Sequence, residues 1–224
     1  MEARRGLSVL AGVLLIWAGS VAMGAEAAKT IEFQGIQIDK EARTVTFPAT
    51  INMTSGALEY LMVTETGKTH ESLLSTKIQP YDIQVAMLLL GIKPAGKTDT
   101  EPPAQITKQY LATVPEMKGE KVSLLVEWKD GKGQHRVRAE SMVWNLKTKQ
   151  AMTDGPWTYN GSEMYGGKFL AQVDGSVAAL VRDSAALINN PRPGNDDDQI
   201  WTPNWNATPK EGTGVEVVVK LEEN

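Results

Sequence analysis

LEYLMVTETGKTHESLLSTKIQPYDIQVAMLLLG, residues 58–91, decides the fold class, because a strand pattern and a helix pattern meet in it. Leu58 to Glu65 reads as a strand, Thr66 to Lys68 as a tight turn, and Thr69 to Ser75 as the returning strand. A helix over about 80–90 comes next. Pro80 suits the first helical position, where its missing N–H leaves nothing unpaired. Asp82 favours the positive helix end, and Gly91 suits the left-handed residue that closes a helix. Ile83, Ala86, Met87 and Leu90 share one face, which Val85, Leu88 and Leu89 widen. So wide an apolar face predicts a helix covered on most sides and laid across a sheet.

Strand patterns continue on both sides. Upstream, Ile31, Phe33, Ile36 and Ile38 are spaced nearly two apart, with Gly35 read as a bulge. DKEAR makes a charged turn into Val45 and Phe47, and Pro48 belongs near a strand end or on an edge. Downstream, residues 91–120 hold many prolines and turn residues and read as a long loop. Lys121 to Lys129, Gln134 to Ala139, GPWTYNGS, KFLAQV, GSVAALVRD and GVEVVVKLE read as further strands. Ser141 to Lys149 fits a short helix or a strand. The expected fold is α+β, mostly antiparallel β with one helix packed on a sheet. Residues 26–224 form one domain, or two lobes joined near 91–120.

Composition sets limits on chemistry. Among 224 residues there is no cysteine, which excludes disulfides, thiolate catalysis and cysteine-bound metal within this chain. Residues 1–25 have the layout of a secretory signal peptide: Arg4 and Arg5, an apolar run from Leu7 to Val21, then small residues. The run is short for a bilayer span, which needs roughly 20 residues. Cleavage near Glu26 would remove two arginines and one glutamate, taking the formal net charge from −4 to −5. The expectation is a secreted or periplasmic protein with no membrane span after cleavage. A mild acidic balance also argues against nucleic acid as a partner.

With two histidines, a three-histidine metal site is excluded. His70–Glu71 opens a zinc-protease helix motif, but Leu74 stands where the second histidine belongs. On a strand, His70 shares a face with Lys68 and Ser72, and Glu71 points to the other side. A polar strand position and a Ser72–His70 pair both remain open. His135 follows the DGKG turn and reads as part of an exposed hairpin. Asp196, Asp197 and Asp198 are hard oxygen ligands for a divalent cation, or an Asp-rich turn that caps its own backbone. Arg182, Asp183, Asn189 and Asn190 precede them, Asp183 as a cap for a turn starting at Ser184. Trp201 and Trp205 flank a loop-like WTPNW, as stacking rings or as plugs of a β structure. No nucleophile elbow, P-loop or dinucleotide fingerprint occurs.

GALEYLMVTETGKTHESLLSTKIQPYDIQVAMLLLG, GPWTYNGS, GSVAALVRDSAALINNPRPGNDDDQIW and GTGVEVVV together resemble the YdjY-type domain family over about residues 30–220. The resemblance implies a secreted protein of planctomycete-like bacteria. An iron–sulfur role described for some members does not carry over to a chain without cysteine. The expected function is that of a binding module without chemistry of its own, on Lys68, His70, Glu71, Arg182, Asp183, Asn189 and Trp201. Its partner would be an envelope protein or a small ligand, with no cofactor. The alternative is a metal-dependent, hydrolase-like enzyme in which His70 and Glu71 meet Asp196, Asp197 and Asp198 around a divalent cation.

Overall fold

A computed structural model describes residues 30–95 and 117–223. Residues 1–25, read as a signal peptide, and residues 96–116 of the expected loop lie outside it. Of the described residues 42% are in strands and 13% are helical, and eight strands close into a barrel. This corrects the α+β expectation of a helix lying on an open sheet. Strand alternation is legible in the sequence, but closure depends on pairings between strands distant in sequence.

The first strands are β1 (Thr30–Phe33), β2 (Ile36–Asp39) and β3 (Thr44–Ile51), a continuous antiparallel meander. Gly35 is a turn residue and not a bulge: Gln34 and Gly35 both have positive φ, 50° and 78°, as a two-residue hairpin turn requires. Two strands follow, β4 (Tyr60–Thr64) and β5 (Ser72–Thr76). They run parallel, not as a hairpin. The TGK turn leads into a 3₁₀ turn, Thr69–Glu71, which carries the chain back alongside β4 before β5 begins. Helix α1 (Pro80–Leu89) matches the predicted range, and Ile83, Ala86 and Met87 enter the core. Its other face is not covered as expected, since Tyr81, Leu88 and Leu89 are exposed.

The second half supplies β6 (Glu120–Asp130), β7 (Gly133–Arg138), β8 (Val143–Asn145), β9 (Gln150–Ala151) and β10 (Trp157–Tyr159). Next come β11 (Met164–Tyr165), β12 (Lys168–Phe169) and the short helix α2 (Leu170–Asp174), which replaces most of the strand expected for KFLAQV. The last strands are β13 (Ser176–Ala179), β14 (Ile188–Asn189), β15 (Trp201–Pro203) and β16 (Gly214–Leu221). The barrel order is β3-β16-β6-β10-β14-β13-β4-β5, closed by pairing of β5 with β3. Strands from both sides of residues 96–116 therefore share one sheet. Val45 and Phe47 of β3, Leu124 and Val126 of β6, and Val217 and Val219 of β16 are buried together in the core.

Pro48 shows how β3 serves two neighbours. On one side β3 pairs with β2 through Thr44–Thr46 and with β5 through Thr50–Ile51. Pro48 sits in the gap between them, where no strand N–H is needed. Its carbonyl, on the same side, accepts a hydrogen bond from the Thr76 hydroxyl at 2.7 Å.

Candidate functional site

Two short parallel connections lie beside each other. Residues 65–71 join β4 to β5, and residues 180–187 join β13 to parallel β14. Glu59 links them through its backbone: its N–H donates to the Glu71 carbonyl, and its carbonyl accepts from the Leu180 and Val181 N–H groups. Glycines permit the close approach. A Cβ on Gly67 would lie 3.0 Å from the Asp174 carbonyl oxygen, and one on Gly175 would lie 2.3 Å from Thr64 Oγ1.

A polar chain crosses this junction from solvent to core. Lys68 Nζ lies 3.4 Å from Glu71 Oε1 and 4.0 Å from Glu59 Oε2, with Lys68 about half exposed. The same ammonium donates to Tyr60 Oη at 3.3 Å and sits 5.1 Å from the Tyr60 ring centre. Tyr60 Oη donates to Asp183 Oδ2 at 2.9 Å. Asp183 is buried, and its Oδ1 accepts from the Ala185 N–H at 2.9 Å, so it caps the turn as its sequence position predicts. Asn189 holds that segment in place: its Oδ1 accepts the Asp183 N–H and its Nδ2 donates to the Asp183 carbonyl. Asn160 accepts from Asn189 and donates to the Ala186 carbonyl, closing the network.

Burial raises the pKa of Asp183, against the lowering effect of the Tyr60 and Ala185 hydrogen bonds. Burial and the Asp183 charge raise the Tyr60 phenol far above its ordinary value, so it stays protonated. Glu59 and Asp174 are also raised by burial, Glu59 further by the charges of Glu71, Asp198 and Asp183. The junction is thus a set of crowded carboxylates around one ammonium.

The remaining sequence candidates scatter around this centre. His70 is 79% exposed and its Nε2 lies 3.8 Å from Glu71 Oε2. The Ser72–His70 pair does not form, because Ser72 is buried and donates to the Leu74 carbonyl. Arg182 Nη2 donates to Asn195 Oδ1 at 3.1 Å, tying the crossover to the acidic loop. Asp197 accepts the Gln199 N–H at 3.1 Å, a self-capping turn, and Asp198 reaches Glu59 only by its charge. Among the described residues no three His, Asp or Glu side chains converge closely enough to hold a metal ion. Trp201 is buried and its Nε1 donates to the Gly194 carbonyl at 3.0 Å, which anchors the loop, whereas Trp205 is 76% exposed. His135 lies on the β6–β7 hairpin, stacked on Trp128 and 2.9 Å from Asp130 Oδ1. That bond holds the Asp130 pKa below its ordinary value.

Sequence reasoning missed Glu59, Tyr60 and Asp174, which strand and helix patterns treat as ordinary positions. It also missed a second centre. Glu140 is fully buried, and its Oε1 accepts from Arg138 Nη2 at 2.8 Å and Arg192 Nη2 at 2.7 Å. Both guanidiniums also donate to the Gly155 carbonyl, and Arg192 stacks 5.2 Å from the Trp157 ring centre. The Glu140 bond raises the Arg138 pKa, while burial lowers that of Arg192. Nothing in the sequence around Arg138 and Glu140 marks them, since only the fold buries Ala139 and Glu140 between β7 and β8.

A closed, mostly β barrel with two parallel connections meeting at a polar junction defines this molecule as a β-barrel domain protein. A YdjY domain model matches residues 36–220, and the chain belongs to that family. No curated protein and no solved structure matches it. Among the described residues no helix is long and apolar enough to cross a membrane.

Proposed function

We propose that this protein is a secreted or periplasmic binding module without chemistry of its own, which recognises an envelope protein or small ligand at the junction of its two parallel connections. One observation carries the reading. Lys68, His70 and Glu71 from one connection and Asp183 from the other, far apart in sequence, form a single polar network through Tyr60, buried at Asp183 and exposed at Lys68 and His70. Its inner end is buried and hydrogen-bonded through Asp183 and Asn189 and its outer end faces water, the arrangement that preorganises a recognition surface. The hydroxyls here are poor nucleophiles: Ser72 donates to a backbone carbonyl, and Tyr60, though it donates to Asp183, is kept protonated by burial and by the Asp183 charge. The location rests on the pattern of residues 1–25.

The test is capture of partners from envelope extract with the wild type and with a Lys68→Met/His70→Ala variant of unchanged melting temperature. A discrete partner recovered by the first and lost by the second supports the module. Nothing specific recovered across several ionic strengths counts against it.

A further inference from the structure

The outer face of the barrel carries a second feature, which touches the first connection at Glu65. Residues 44, 46, 48 and 50 of β3, 214 and 216 of β16, and 125, 127 and 129 of β6 point outward. Register sets Pro48, Glu216 and Glu127 in one row across these strands, and Thr50 beside Gly214 in the next. Two residues along from Glu127, Lys129 completes that second row. The middle position of that end row has no side chain, because it is Gly214. Thr50, Lys129, Glu216 and Glu127 ring the resulting cleft of about 470 Å³, and Glu65 and Lys77 extend one wall. A Cβ built on Gly214 meets nothing within 4 Å, so the space above it is open. The volume falls in the range of small-molecule sites, about 300–1,000 Å³.

The charges lining the cleft are unequally paired. Glu65 faces Lys77 at 4.0 Å, and Glu127 faces Arg136 at 3.2 Å. Glu216 and Lys129 have no ion pair or side-chain hydrogen bond among the described residues. Like charges directly across strands, as in Glu216 and Glu127, are unfavourable unless a cation neutralises one. Burial and the Glu127 charge raise the Glu216 pKa accordingly. Glu216 and Lys129 are diagonal neighbours, about 7–8 Å apart in such a ladder, on either side of the glycine. One free carboxylate and one free ammonium at that separation suit a ligand carrying both opposite charges.

We propose that the cleft over Gly214 binds a short peptide or free amino acid, its ammonium on Glu216 and its carboxylate on Lys129. A strand glycine marks close approach of a ligand here, and apolar Pro48 flanks the ligand body.

The experiment is calorimetric titration of the full chain with the dipeptide Leu-Ala, its N-acetylated form and its C-terminal amide. Leu-Ala binds, and each blocked form binds at least tenfold more weakly. Glu216→Gln and Lys129→Met each cost tenfold or more for Leu-Ala. Glu216→Gln removes the preference for a free amine, and Lys129→Met the preference for a free carboxylate. Gly214→Phe fills the open space and abolishes binding with its melting temperature retained; should that variant fail to fold, Gly214→Val serves the same purpose. No binding of Leu-Ala at millimolar concentration, equal binding of the blocked forms, or binding unaffected by the Gly214 variants overturns the proposal.

Discussion

The Glu140 centre and the Lys68 junction are built from the same groups in opposite proportions. At Glu140 two arginines share one fully buried carboxylate. At the junction several carboxylates crowd one ammonium that is about half exposed. Burial makes the first arrangement costly to disturb, since removing one partner strands uncompensated charge. Exposure makes the second adjustable, because water screens what a partner does not satisfy. Ion pairs alone therefore do not separate a structural clamp from a recognition surface; burial and the sign of the excess charge do.

Glu140→Ala puts this contrast at greatest risk. It leaves Arg138 and Arg192 facing each other and should cost about 3–5 kcal/mol of stability by denaturant unfolding. A loss below about 1 kcal/mol, the scale of an exposed pair, would show that the clamp is dispensable. Asp183→Ala comes next, at about 2–3 kcal/mol, because the Tyr60 phenol loses its acceptor and the turn loses its cap.

A pH series probes the same difference through protons. The raised pKa of Asp183 means that the folded state holds this proton to higher pH than the unfolded chain does. Stability from this group is full below the ordinary aspartate value, roughly 3.9, and falls as pH rises through the raised value. Glu59 and Asp174 act in the same direction, and Asp130 in the opposite one. Asp183→Asn should flatten the decline in unfolding free energy above the ordinary aspartate range. An unchanged slope would assign it to other groups. The smallest effect is expected for Lys68→Met, within about 1 kcal/mol of wild-type stability, alongside lost partner capture. A larger fall would make Lys68 a structural residue.

Local features of the fold were legible where side chains report local geometry. Pro80 and Gly91 bracket α1 almost to the residue, and the alternation in β3, β6 and β16 separates core from surface. Strand direction was not legible, because alternation is the same in parallel and antiparallel pairs. TGK therefore reads as a hairpin although it opens a parallel connection. The junction was half visible: Lys68, Glu71 and Asp183 stand out for their polarity, but their link, Tyr60, sits in an apolar strand and looks like core. Glu140 was invisible for the opposite reason, since a charged residue in AESM reads as solvated surface until Gly155 and Arg192 are brought against it.

The position of β16 has a consequence for biogenesis. This strand lies between β3 and β6, yet it is the last of the barrel strands to leave the ribosome. Until residues 214–221 are made, β3 and β6 have no common neighbour and the barrel stays open. Pairing across so long a stretch of chain is also slow. A barrel that cannot close while its strands are still being synthesised must complete its fold after translation and not during it.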